Sequence, residues 1–142
     1  MQCSVADCRQ NGIMKLTIWV DAQFHELKDS EIDNMKKTFA VQQREGSDGR
    51  RKIHVWLSSS ERAVDDVDLE IQDFLRNLQV CGFDETAENV LRVAIFYELN
   101  ETIVFPFSIS SSTIRLLADC GMSLETVGYP CSDDKPRSSD VS

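Results

Sequence analysis

An α+β fold is what the sequence predicts: a mainly antiparallel, five-stranded sheet with helices packed on one face. Short segments in which apolar and polar residues alternate, such as Leu16, Ile18 and Val20 against Thr17, Trp19 and Asp21, have the two-residue period of half-buried strands. Between them lie stretches with apolar residues at three- and four-residue steps, clearest in Val67, Ile71, Phe74, Leu75 and Leu78. The two kinds follow one another as β, α, β, α, β, β, α, β; without the leading pair, the rest has the ferredoxin-like order βαββαβ.

Residues 1–13 show no periodicity and are expected to form a flexible leader. One domain then spans 14–130, and the polar residues 131–142 are expected to form a disordered tail. Residues 16–21 form the first strand. Asp29 or Ser30 can cap a helix that places Ile32, Met35 and Phe39 on one face, with Lys36 and Lys37 near its C-terminal end. The segment 45–52, glycine-bearing and charged, reads as a loop or hairpin-like excursion carrying the basic run Arg50, Arg51 and Lys52.

Residues 53–57 make the next strand, with His54 and Trp56 on the side opposite Ile53, Val55 and Leu57. The second helix has its apolar stripe ringed by Asp65, Asp66, Asp68, Glu70 and Asp73, acidic residues that suit its first turns, and Gly82 closes it. Residues 89–99 alternate Val93, Ile95 and Tyr97 with Arg92, Ala94 and Phe96, and are expected to pair with 102–109 as an antiparallel hairpin. Around the stretch 102–129 the chain is organised as strand, helix, strand. Serines 110–112 start its helix, Ile114, Leu117 and Ala118 form the stripe, and Gly121 ends it ahead of a strand over 124–129.

Composition bounds the function. The 142 residues are 42% hydrophobic and 27% charged, as in an ordinary globular domain. Fifteen Lys and Arg against 24 Asp and Glu leave a net charge of -9, which repels nucleic-acid backbones and anionic lipid and speeds encounter with a basic partner. No signal segment or apolar run long enough for a bilayer is visible, so a cytoplasmic protein is expected. Cys3, Cys8, Cys81, Cys120 and Cys131 lack metal-ligand spacing and are expected to be reduced structural thiols.

No nucleotide-loop, zinc-protease or hydrolase-elbow motif occurs, and no cofactor or metal is expected. The only histidines are His25 and His54. The carboxylates of the second helix read as solvated caps or as a steering surface rather than as a general-acid pair. If the strands bearing Trp19 and Trp56 are neighbours, the two rings and His54 make a patch on the sheet, serving either as a second core layer or as a binding surface.

Val55, Trp56, Leu57, Ser58 and Ser59 leading into an acidic helix, and Phe107, Ser108, Ile109 and Ser110 before the helix ending in Cys120 and Gly121, resemble a bacterial family known as domain of unknown function 4279. The resemblance spans roughly residues 16–129 and departs from the family pattern near 38–52, where a charged loop replaces a glycine- and proline-bearing segment. It implies a small cytosolic domain of adaptor or immunity type and transfers no catalytic residue. The expectation is a non-enzymatic, cytoplasmic, immunity-type antagonist that binds a basic toxin or effector domain, with no nucleic acid and no membrane partner. Its candidate contacts are Trp19, His54, Trp56, Asp65, Asp66, Asp68, Glu70 and Asp73. The competing expectation is a small-molecule or nucleotide sensor that uses the face around His54 and Trp56, with 50–52 holding an anion.

Overall fold

The computed structural model describes residues 15–57, 61–98 and 107–131. Strands and helices follow in the order β1 (Lys15–Phe24), α1 (Asp29–Lys36), β2 (Ala40–Glu45), β3 (Arg51–Trp56), β4 (Glu61–Ala63), a short 3-10 turn (Val64–Asp66), α2 (Val67–Cys81), β5 (Asn89–Glu98), α3 (Ser111–Asp119) and β6 (Met122–Cys131). The fold is α+β; the described residues form three helices and an open six-stranded sheet ordered β2-β3-β1-β5-β6, β4 pairing with β1. All pairings are antiparallel except β5 with β6, which run parallel.

That order corrects the five-stranded, ferredoxin-like expectation. The first strand is the centre of the sheet rather than an edge addition, because β3 and β4 line one of its sides and β5 the other. The hairpin expected between 89–99 and 102–109 has no room: β1 occupies one edge of β5 and β6 the other along nearly its whole length. Of 102–109, the part within the described residues, 107–109, carries no strand. The expected leader and almost all of the expected tail fall outside the described residues.

Strand β1 sets the layers. Ile18, Val20, Ala22 and Phe24 point to one side and are fully buried against Ile53 and Val55 of β3 and Leu91, Val93 and Ile95 of β5. The helices cover this side. Val67, Ile71, Phe74, Leu75 and Leu78 of α2 are all buried, each contributing on the order of 2 kcal/mol of burial free energy. From α1 come Ile32 and Met35, while Phe39, just past its end, packs edge-on to Phe74 at 5.4 Å. The N-cap of α1 is Lys28, one residue earlier than expected, and its backbone N–H donates to Glu31 Oε1 at 2.8 Å. Helix α3 buries Leu117 as expected, but Thr113 takes the inward place expected of Ile114 and Ala118, and Ile114 is 55% exposed; Thr113 is drawn inward by a hydrogen bond to α2.

The excursion at 45–52 is the turn of a β2–β3 hairpin, where the Gly46 N–H donates to the Arg50 carbonyl at 2.7 Å and Gly49 has φ +79°. Strand β2 has no apolar alternation because five of its six residues are exposed at the sheet edge. Between β3 and β4 the ladder on β1 is interrupted. The Leu57 N–H reaches the Val20 carbonyl at 3.0 Å, and the buried Arg62 guanidinium donates from Nη1 to the Ile18 carbonyl at 2.7 Å, so these buried acceptors remain paired. Arg62 Nε is held by Glu70 at 2.6 Å.

Gly121 ends α3 with φ +66°, and a Cβ there would lie 1.9 Å from the Glu85 carbonyl oxygen. Both the left-handed backbone and the close approach demand glycine. Gly121→Ala is therefore expected to lower stability by about 1–3 kcal/mol or more. Urea unfolding checks this, and an unchanged midpoint contradicts it.

Candidate functional site: the open face of the sheet

Among the described residues, no helix lies on the second side of the sheet. Thr17, Trp19, Asp21 and Gln23 of β1 project there, joined across the ladder by His54 and Trp56 of β3, Arg92, Ala94 and Phe96 of β5, and Glu125, Val127 and Tyr129 of β6. Large rings dominate one half. Trp19 sits edge-on to Trp56 with centroids 5.9 Å apart and tilts toward Phe96 at 5.2 Å; Phe96 in turn stacks on Tyr129 at 4.9 Å. Ala94, directly opposite Trp19, leaves space for the indole to reach its diagonal neighbours. The four rings thus form a continuous diagonal row across β3, β1, β5 and β6. Trp19 is 45% and Tyr129 37% exposed.

Beside the row lies a buried polar network. His54 Nδ1 is 2.8 Å from Asp21 Oδ2, and the Gln23 side-chain amide donates to the same oxygen at 3.1 Å. Asp21 and His54 are only 3% and 7% exposed, and the imidazole stacks on Trp56 at 6.0 Å with an interplanar angle of 15°. The network therefore fixes both the histidine ring and the indole beside it. Arg92, paired across the ladder with Asp21, donates to the Tyr129 hydroxyl at 2.7 Å and lies 3.7 Å from Glu125. Among the described residues no hydroxyl or thiol nucleophile bonds to His54, and no group of three His, Cys, Asp or Glu side chains is placed to hold a metal ion.

Trp19, Trp56 and His54 meet on this face, whereas the acidic candidates lie on α2 and the turn before it, across the sheet from the rings. Within that acidic set the roles divide. Asp65, Asp66 and Asp73 are exposed, and Asp73 is only loosely associated with Arg76 at 3.8 Å. Glu70 is tied to Arg62. Asp68 joins two helices: Oδ1 accepts from the Ser110 N–H at 2.9 Å and the Thr113 hydroxyl at 2.8 Å, and Oδ2 from the Gln72 amide at 3.3 Å. Burial raises the Asp68 pKa, but the bonds from the Ser110 backbone, the Thr113 and Ser110 hydroxyls and Gln72 outweigh it and leave the carboxyl below its ordinary value. Ser110 Oγ caps α3 by accepting from the Thr113 N–H at 3.2 Å, so Asp68 holds a helix start rather than facing a partner.

The basic run at 50–52 is largely occupied as well. Arg50 pairs with Glu26 at 3.2 Å, and Arg51 bonds Asp29 at 3.0 Å and the Leu27 carbonyl at 2.7 Å. A cleft of about 290 Å³ borders Asp65, Asp68 and Ser110, and another of about 320 Å³ lies along Arg44, Gly49 and Arg51. Neither includes His54 or a tryptophan. Cys81, Cys120 and Cys131 are free thiols; burial, then Glu85 and Asp119, push Cys120 up to about 11, which keeps it protonated and unreactive at neutral pH.

The sequence reading missed Asp21, Gln23, Arg92, Phe96 and Tyr129 as parts of this face. Alternation alone puts Asp21 with Trp19 and Phe96 with Arg92, but only strand order brings the sets together.

Two stability measurements bear on the site. His54→Ala removes one of the two hydrogen-bond partners of the buried Asp21 carboxylate and is expected to cost about 1–3 kcal/mol, the scale for leaving a buried polar group short of a bond; a change near zero in urea unfolding contradicts the pairing. Asp68→Ala is expected to cost about 1–3 kcal/mol by orphaning its donors. Because the folded Asp68 carboxyl titrates below its unfolded value of ~3.9, its contribution is complete above that pH and disappears as the pH falls through the lower, folded value. The gap between wild type and Asp68→Ala should close in that acid window, and a gap independent of pH contradicts the assignment. Among the described residues no helix is long and apolar enough to cross a membrane. Compared with known proteins, the chain matches no family model, no curated protein and no solved structure.

Proposed function

We propose that this chain is a non-enzymatic, cytoplasmic protein-binding protein that acts as an immunity-type antagonist, docking a basic toxin or effector domain on the open face of its sheet. The observation that carries the reading is the diagonal row of Trp56, Trp19, Phe96 and Tyr129, with Trp19 nearly half exposed on the central strand. Tryptophan and tyrosine are the side chains that most often anchor protein interfaces, because they remove much apolar area from water while ordering few torsions. The charge of -9 supplies long-range attraction to a basic partner. The Asp21, His54 and Gln23 network supports the same reading by holding the Trp56 ring in place before a partner arrives, which lowers the ordering cost of binding. The resemblance to the domain of unknown function 4279 family points the same way.

Asp65, Asp66 and Asp73 lie on the helical side, so their share in this reading is steering and not contact. Affinity capture from the native host with the full chain tests it. Wild type is expected to retain a stoichiometric basic protein; Trp19→Ala and Trp56→Ala, each folded by circular dichroism, are expected to lose it at least tenfold, on the scale of an interface hot spot. Retention of the same partner by both variants, or no stoichiometric partner at all, overturns the proposal.

A further inference from the structure

The chemistry of the open face narrows what can sit on it. Glu61 pairs across the ladder with Thr17 and Glu125 with Arg92, so two exposed carboxylates flank the ring row, one on β4 and one on β6. Between them the positive charge of Arg92 is already directed at Tyr129 and Glu125, and the Asp21 carboxylate lies on the same row. Lys52 and Arg44, opposite one another, sit beyond His54 toward the hairpin turn, away from the rings. The half of the face that carries Trp19, Phe96 and Tyr129 therefore combines electron-rich ring surfaces with an excess of carboxylate.

We infer that this half of the face receives an arginine-bearing segment of a partner protein, a guanidinium lying against the exposed Trp19 ring between Glu61 and Glu125. The inference rests on the docking reading above and adds the chemical class of the occupant. A ring face attracts a cation through its quadrupole, tryptophan most strongly. Guanidinium suits the site better than ammonium, because it is planar, weakly hydrated and stacks on aromatic surfaces while its N–H groups reach carboxylates at the edge. Nucleobases also stack on such rings, but the phosphates they carry meet Glu61, Glu125 and a net charge of -9. A purely apolar segment offers nothing to the exposed Glu61 carboxylate at the edge of the row.

The test uses the full chain and three probes followed by tryptophan fluorescence titration: a short glycine-spaced arginine peptide, the same peptide with citrulline at each arginine, and an oligouridylate. The arginine peptide is expected to bind about five- to thirty-fold tighter than its neutral isostere, the range of one cation–π contact, and to weaken as salt rises. Trp19→Ala should erase that margin, while Trp19→Phe, which keeps a ring and serves as the control for folding, should retain part of it. Equal binding of the two peptides, no binding of either, or tighter binding of the oligouridylate overturns the inference. Host-partner capture separates the two levels. Should capture depend on Trp19 while the citrulline margin is absent, the arginine inference alone falls; should capture ignore Trp19, the docking reading falls with it.

Discussion

Strand β1 runs through the middle of the sheet, and its alternation sets the character of both sides. Ile18, Val20, Ala22 and Phe24 are sealed under the helices, while Trp19 and Asp21, one residue out of phase, face the other way. A slip of one residue in its pairing would send the tryptophan into the core and the aliphatic set into water, so burial of the even positions fixes where the odd ones point. Everything on the open face depends on that constraint. His54 meets Asp21 because Gln23 and His54 are register partners, and Trp19 meets Phe96 because Thr17 and Phe96 are.

How much of this was legible in the sequence depends on whether the signal was local. The α2 stripe could be read residue by residue, since five apolar side chains at helical spacing have one way to be buried. Gly121 was legible for a similar reason: a helix end in the left-handed region admits little else. Strand β2 was not, because an exposed edge strand has no buried face to impose alternation on Ala40, Gln42 and Arg44. On α3, hydrophobicity alone places Ile114 inward. The structure instead buries Thr113, whose hydroxyl has a carboxylate waiting on α2.

Strand order was the least legible feature. Local patterns near 89–109 suggest a hairpin, yet β5 pairs in parallel with β6 across helix α3, and no neighbouring residue pair announces such a crossover. The same holds for the site: Asp21 and His54 are 33 positions apart, and the ring row draws on four strands. Acidic residues that looked like a single surface in sequence divide, on folding, into free carboxylates and structural ties such as Asp68 and Glu70. The acidic residues of α2 and the ring row then lie on opposite sides of the sheet.

The central claim is that a ring row on the side of the sheet opposite the helices stands open to solvent. Acrylamide quenching of the Trp19 fluorescence in a Trp56→Phe chain measures it directly, because that variant leaves a single indole. The account predicts emission at solvent-like wavelengths with efficient quenching. Blue-shifted emission that resists acrylamide in the isolated, folded chain would contradict it.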